Sequence, residues 1–172
     1  MPDSGESLRR ERASKDAWFR AHPQSPLPRE ERAKFAGLRY YDPDPAYKVR
    51  ARWEPLPAPK PVHVQTSTGE TREYVDAGLL RFRIDGNDLA LHGYDTGHGL
   101  FVPFRDATSG KETYGAGRYL DLPAPRGGEV EIDFNLAYNP YCAYSEDYSC
   151  PFPPPDNWLK APIRAGEKSY HD

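Results

Sequence analysis

The segment RFRIDGNDLAL, residues 81–91, contains two runs of alternating polar and apolar residues on either side of a turn. Phe82 and Ile84 alternate with arginines before the turn, and the leucines after it resume the alternation. Alternation with a period of two is typical of a strand that buries one face. Asp85-Gly86-Asn87-Asp88 predicts a hairpin turn between the runs, because Gly and Asn accept positive φ. The segment therefore predicts an antiparallel β-hairpin.

The same alternation continues along the chain in both directions. Val49, Ala51 and Trp53 share one face of a predicted strand whose other face carries basic residues. Further strands are predicted at 62–66, 74–80, 100–104 and 129–136, with turns at 67–69 and 108–111. About eight short strands without crossover helices favour an antiparallel meander closed or nearly closed into a β-barrel. A two-sheet β-sandwich is the alternative.

A helical arm is predicted to precede this domain. The sequence predicts a helix over residues 3–21, in which Asp3 and Glu6 form a capping box. The prolines of residues 22–28 end that helix. A second helix is predicted from Arg29 to Phe35. We therefore divide the chain into an N-terminal helical arm, 1–38, and a barrel-like domain, 39–172.

Composition excludes several classes of partner. The 172 residues include 23 basic and 26 acidic side chains, a net charge of −3, and no basic stripe, so we expect no nucleic-acid partner. No apolar run approaches the roughly 20 residues that span a bilayer, and MPDSGESLRR lacks the apolar region of a signal peptide. We expect a cytoplasmic protein that does not contact membranes. The sequence does not set an oligomeric state.

The most unusual segment is the covering loop, residues 139–159, which holds both cysteines, three tyrosines and five prolines. A loop of this length is often functional, although it could equally be a structural cover. Cys142 and Cys150 could form a disulfide, remain buried thiols, or join a metal or redox site. Their spacing lacks the close pairs of zinc sites, so we expect no metal and no cofactor.

Several polar clusters allow competing interpretations. His92 and His98 could bind a metal with Asp95, but solvated histidines are expected near a loop tip. The Gly-Ala-Gly at 115–117 lacks a nucleotide-binding pattern and predicts a bend instead. Asp106 and Arg118 could pair across the intervening turn, as a structural ion pair.

The charged strand faces also allow two interpretations. They could lie outside the barrel in solvent or line a polar lumen. We expect most of them outside, with Asp133 and Asn135 as the exceptions. The faces in question carry Arg50, Arg52, Arg81, Arg83, Glu129, Glu131 and Asp133.

Two long stretches, FVPFRDATSGKETYGAGRYLDL (101–122) and residues 133–167, resemble the family called domain of unknown function 1684. The segment SPLPREERAKFAGLRYY (25–41) resembles the opening of the same bacterial and archaeal family. Asp156-Asn157 stands where relatives carry Glu-Asn, which keeps the carboxylate. The resemblance covers nearly the whole chain and implies no activity, ligand or catalytic residue. The residues that it places in the family signature are Asp106, Thr108, Gly110, Glu112, Thr113, Tyr114, Gly117, Arg118, Tyr119, Asp133, Asn135, Tyr138, Asn139, Cys142, Tyr144, Cys150, Asn157 and Glu167.

The leading functional hypothesis is a pocket for a small polar or aromatic ligand beneath the covering loop, because such pockets combine aromatic walls with a few polar groups. An enzyme could use the same pocket, with Asp106 or Asp133 as general base or Cys142 as nucleophile. A third possibility is that the signature residues are purely structural. The predicted ligand-binding residues are Tyr114, Arg118, Asp133, Asn135, Tyr138, Asn139 and Tyr144.

Overall fold

A computed structural model describes residues 4–171 and begins with the helical arm. Helix α1 spans Ser4–Ala21 and helix α2 spans Arg29–Arg32. The predicted cap Asp3 lies outside the described residues. The prediction that α2 reaches Phe35 is wrong, because the amides of Lys34 and Phe35 bond three residues back and the helix becomes a turn.

The arm is joined to the body by an aromatic cluster. Phe19 of α1 and Phe35 after α2 are both buried against Tyr144 of the covering loop. The rings of Phe19 and Tyr144 meet edge-on with 4.9 Å between centroids, a favourable geometry for aromatic pairs. The covering loop therefore lies between the arm and the sheet.

The described residues form one six-stranded antiparallel sheet. Its strands are β1 (Lys48–Gln65), β2 (Thr71–Ile84), β3 (Asn87–Asp95), β4 (Gly99–Phe104), β5 (Arg118–Pro123) and β6 (Glu129–Asp133). The sequence predicts about eight strands, whereas the described residues form six. The difference arises because β1 and β2 are each a single strand where the sequence predicts two. Register shifts at Pro55/Lys60 and Asp76/Gly78 bend the long strands without ending them. At the second shift a Cβ on Gly78 would lie 2.4 Å from the Glu54 carbonyl oxygen, so that position requires glycine.

The topology is the predicted meander, nearly closed into a barrel. Strand order is β5-β4-β3-β2-β1-β6, and β6 pairs with the start of β1 through Lys48 and Asp133. Strands β5 and β6 then approach each other and nearly close the sheet. The hairpin predicted at 85–88 is confirmed, because Asp85 and Gly86 have φ of 50° and 76°. The core inside the sheet includes Ala51, Leu80, Leu91, Val102, Leu120, Ile132 and Phe134.

The prediction that the last strand continues to Leu136 is wrong. The Asp133 side chain accepts the Asn135 amide hydrogen, which ends β6 and starts a 3₁₀ turn over Phe134–Leu136. Phe134 remains buried, whereas Leu136 is 49% exposed. A side-chain cap therefore replaces strand pairing where alternation alone predicts a continued strand.

The charged strand faces lie outside the barrel, as expected for most of them. Arg50 lies 3.7 Å from Glu129 across the β1–β6 pair, and both side chains are more than half exposed. Arg81 contacts Glu54 on the same exterior. Among the described residues, no helix is both long and apolar enough to cross a membrane.

Candidate functional site

The covering loop crosses one end of the sheet and is attached at three points. Tyr138, just before the loop, bridges to Tyr119 of β5. Pro151 bridges to Thr66 after β1, and Trp158 bridges to Arg105 after β4. These backbone contacts fix the loop against three separate parts of the sheet.

Asn157 joins two strands where their own pairing stops. Strands β3 and β4 pair at Tyr94–Phe101 and Asp95–Leu100. Beyond that point the fully buried Asn157 carboxamide accepts the His92 amide hydrogen at 2.7 Å and donates to the carbonyls of His92 and Pro103 at 3.1 and 2.8 Å. One side chain thus replaces the missing ladder bonds.

Arg118 is 0% exposed and binds the segment that follows the covering loop. Its guanidinium donates to the carbonyl oxygens of Ala165, Ile163 and Glu167, the latter two at 2.9 and 3.2 Å. Burial lowers the Arg118 pKa, and Asp106, 3.5 Å away, opposes that shift. The predicted Asp106–Arg118 pair is therefore confirmed as a structural contact. Asp106 also accepts hydrogen bonds from Thr108 and the Ile163 amide.

Glu167 forms a second buried polar centre that the sequence hypotheses do not single out. Its carboxylate accepts the Asn139 amide hydrogen and lies 2.8 Å from the ammonium of Lys15 in α1. The Tyr144 hydroxyl lies 3.4 Å from both carboxylate oxygens. Burial, followed by the Glu167 charge, raises the pKa of Tyr144 well above its ordinary value. Glu167 therefore ties the arm and the covering loop together.

Beside these buried centres lies an open cavity of about 720 Å³, the aromatic groove. Strands β2, β4 and β5 contribute one aromatic side chain each, and the covering loop with Tyr138 contributes the others. Lys15, Arg72 and Asp121 place charges in the lining. The aromatic lining residues are Tyr74, Phe101, Tyr119, Tyr138, Tyr141 and Tyr148.

Four of the six rings form a connected series, and Tyr141 and Tyr148 form a separate pair. Phe101 lies 5.7 Å from Tyr74 and 4.8 Å from Tyr119, measured between ring centroids. Tyr119 is followed by Tyr138 at 5.8 Å. The Tyr119 hydroxyl donates to the Pro151 carbonyl and the Tyr138 hydroxyl donates to Asp121, both at 2.5 Å. Because burial raises the pKa of both hydroxyls, the two rings are neutral at physiological pH.

One polar atom among the lining residues, the side-chain oxygen of Asn139, has no hydrogen-bond donor within residues 4–171. Asn139 is 2% exposed, and its Nδ2 donates to the Lys168 carbonyl at 3.0 Å, which fixes the orientation of the carboxamide. Its Oδ1 is buried and accepts no hydrogen bond from the residues that the structure describes. A buried acceptor without a donor is costly, so Asn139 is a point of local destabilisation beneath the groove.

The sequence-predicted ligand residues do not meet in one pocket. Tyr138 and Asn139 line the aromatic groove. Asp133 and Asn135 line a different cleft of about 410 Å³ between α1 and the start of β1. Arg118 and Tyr144 lie in the interior contacts described above, and the Tyr114 hydroxyl lies 3.5 Å from the sulfur of Cys142.

The side chains of His92 and His98 have different surroundings. His98 is exposed as expected, but the expectation of a solvated imidazole is wrong for His92, whose Nδ1 lies 2.7 Å from Asp76. Asp76 is placed there by the shift in β2, a feature that alternation does not reveal. Among residues 4–171, no group of three or more His, Cys, Asp or Glu side chains is arranged to hold a metal ion.

Comparisons with known proteins find one matching family and a solved structure of similar fold. Residues 33–168 match the family described as Protein of unknown function (DUF1684). A solution NMR structure of the uncharacterized protein from gene locus rrnAC0354 of Haloarcula marismortui is 43% identical, with a TM-score of 0.75. The match covers 97% of this chain and 95% of the archaeal one. No curated protein matches the chain.

Proposed function

Because the chain belongs to the DUF1684 family, whose description carries no activity, we propose a function from geometry: the aromatic groove binds a small, planar, uncharged ligand. The supporting observation is the combination of six aromatic side chains with a few charged groups in one open cavity. Small-molecule sites combine mostly apolar walls with a few polar groups that fix orientation. The proposal keeps the ligand class expected from the sequence but replaces most of the expected lining residues.

Ring faces supply most of the binding energy in this proposal. The hydroxyls of Tyr119 and Tyr138 are held by Pro151 and Asp121, so the rings have fixed orientations before a ligand arrives. A wall that is already ordered loses little conformational entropy on binding. A flat ring can therefore stack in the groove without first ordering these two side chains.

The charges of the groove favour a ligand without net charge. The ammonium of Lys15 is paired with Glu167, and the Arg72 guanidinium donates to the Ser149 carbonyl at 2.9 Å. Asp121 contributes the opposite sign. A mixed and already paired set of charges gives little net attraction for the phosphates of a nucleic acid.

The proposal also places the protein in the cytoplasm. Cys142 and Cys150 are both free thiols. Free thiols suit a reducing compartment, where glutathione and thioredoxin keep them reduced.

Ligand-observed saturation-transfer NMR with benzamide and benzoate tests the proposal. The two probes share a ring, but benzoate carries a net charge and benzamide does not. We expect benzamide to bind more tightly than benzoate. We expect Tyr148→Ala to weaken benzamide binding about twofold to thirteenfold, the value of one aromatic contact at about 0.5–1.5 kcal/mol.

The matched control is Trp158→Ala, which removes an aromatic side chain, 48% exposed, that does not line the groove. Its binding of benzamide should equal that of the wild type. Absence of saturation transfer from wild-type protein to benzamide, or equal weakening by both variants, would refute the proposal. Native mass spectrometry of protein from its own host then identifies any retained small molecule.

A further inference from the structure

The two cysteines lie together at the side of the covering loop that faces the turn between β1 and β2. The Cys142 amide donates to the Cys150 sulfur at 3.3 Å, although eight residues separate the two in sequence. Cys150 is held in place by Ser67, whose hydroxyl accepts the Cys150 amide hydrogen at 3.0 Å. The Ser67 amide donates back to the Cys150 carbonyl at 2.9 Å. The backbone of Cys150 is therefore held by the turn between β1 and β2.

The two thiols have unequal surroundings. Cys142 is partly exposed, whereas Cys150 is buried. Hydrogen bonding from the Cys150 thiol, then from the Tyr114 and Ser67 hydroxyls, lowers the pKa of Cys142 to about 6 against the opposing effect of burial. Hydrogen bonding to Cys142 and burial raise the pKa of Cys150 above its ordinary value. The more accessible sulfur is thus the one whose thiolate is stabilised.

We propose that Cys142 and Cys150 form a dithiol redox site, in which the accessible Cys142 sulfur is the attacking group and the buried Cys150 sulfur resolves the product. The co-reactant is a low-molecular-weight disulfide. The site stands apart from the ligand proposal, because it needs neither a ring-binding groove nor a ligand.

The reaction balances as two successive exchanges. The Cys142 thiolate attacks one sulfur of the small disulfide, a Cys142 mixed disulfide forms, and one small thiolate leaves. That thiolate takes the proton of Cys150. The Cys150 thiolate then attacks the Cys142 sulfur and releases the second small thiolate, which takes from solvent the proton that Cys142 lost on ionising. The two protein thiols are oxidised to one disulfide while the small disulfide is reduced to two thiols.

The position of Cys150 gives the reaction a structural consequence. Cys150 and Pro151 both line the aromatic groove, and Tyr119 holds the Pro151 carbonyl. Joining the sulfurs constrains the loop between Cys142 and Cys150, which carries Tyr148 of the groove wall. Oxidation therefore changes the lining of the groove at one end.

Two measurements test the site on the intact folded chain. In the first, iodoacetamide alkylation of Cys142 is followed by peptide mass spectrometry as a function of pH. We expect the rate to reach half its plateau at a pH clearly below the value of about 8.5 for a free cysteine. Tyr114→Phe removes one donor and should move this midpoint upward. A wild-type midpoint near that of free cysteine would overturn the proposal.

In the second measurement the protein is equilibrated with oxidised glutathione and its intact mass is recorded. Wild type should lose two hydrogens and retain no glutathione. Cys150→Ser should accumulate a glutathione adduct on Cys142, whereas Cys142→Ser should react much more slowly at Cys150. A stable glutathione adduct on the wild type, equal reactivity of the two single variants, or no reaction in any of them would overturn the proposal.

Discussion

Replacing Arg118 by Met should destabilise the fold more than any exposed charge substitution. Met keeps much of the side-chain length but removes the guanidinium that serves Ala165, Ile163 and Glu167. Each buried carbonyl left without a donor costs about 1–3 kcal/mol. The buried Asp106 also loses its counter-charge, and breaking a buried pair in this way costs about 3–5 kcal/mol.

These costs overlap, because Asp106 keeps the hydrogen bonds from Thr108 and the Ile163 amide. Non-additivity among neighbours brings the expected total to about 4–6 kcal/mol. A loss of that size is comparable to the whole stability of many domains, about 5–15 kcal/mol. Arg118→Lys should cost less, because it keeps the charge but not the planar set of donors.

Urea unfolding followed by tryptophan fluorescence measures the effect, with the free energy of unfolding taken from the midpoint and slope. Arg50→Met is the control, since it removes an exposed arginine in a surface pair and should leave the midpoint nearly unchanged. Adding Asp106→Asn to Arg118→Met should recover part of the loss, because it removes the uncompensated charge. A loss below about 1 kcal/mol, or a double variant no more stable than the single one, would refute this explanation.

Two further predictions concern a glycine and the tyrosines. Gly117→Ala should lower the free energy of unfolding by about 2–4 kcal/mol. The reason is that Gly117 has φ of +106° and a Cβ there would lie 2.5 Å from the Phe104 carbonyl oxygen. Gly115→Ala, which meets only ordinary contacts, should be nearly neutral in the same urea assay, and equal losses would contradict this account. Five of the tyrosines whose pKa is raised mainly by burial should stay protonated above pH 10 in the folded protein, whereas the unfolded chain releases its phenolic protons there. The free energy of unfolding should therefore fall as the pH rises beyond about 10. Tyrosinate absorbance should show these residues ionising together with unfolding rather than near pH 10, and independent ionisation in the folded protein would contradict the prediction. The five are Tyr40, Tyr94, Tyr119, Tyr138 and Tyr144.

Local patterns predict the sheet well because side-chain direction in a strand depends only on residue parity. The alternation at 81–91 gives β2, its turn and β3 correctly. Parity does not report where pairing stops, so neither the bulge at Asp76/Gly78 nor the cap at Asp133 is predicted. In both places a side chain or an extra residue competes with the ladder.

The residues of the candidate site are predicted less well than the sheet, because the site depends on contacts between residues that are distant in sequence. The aromatic groove combines Tyr74, Phe101 and Tyr119 with Tyr148, and no local pattern links β2, β4, β5 and the covering loop. Arg118 resembles an exposed strand arginine in sequence, and only the return of residues 163–167 buries it. The three tyrosines of the covering loop indicate an aromatic-lined pocket, but the sequence does not say which aromatic residues of the strands complete it.

The bridge that Asn157 makes between His92 and Pro103 bears on how the protein is synthesised. Asn157 leaves the ribosome only after all six strands, so a nascent chain that has completed β6 still has an open seam between β3 and β4. Exposed strand edges in partly folded chains promote aggregation. We therefore expect the growing polypeptide to stay prone to aggregation until the next two dozen residues have been translated and Asn157 has joined the two strands.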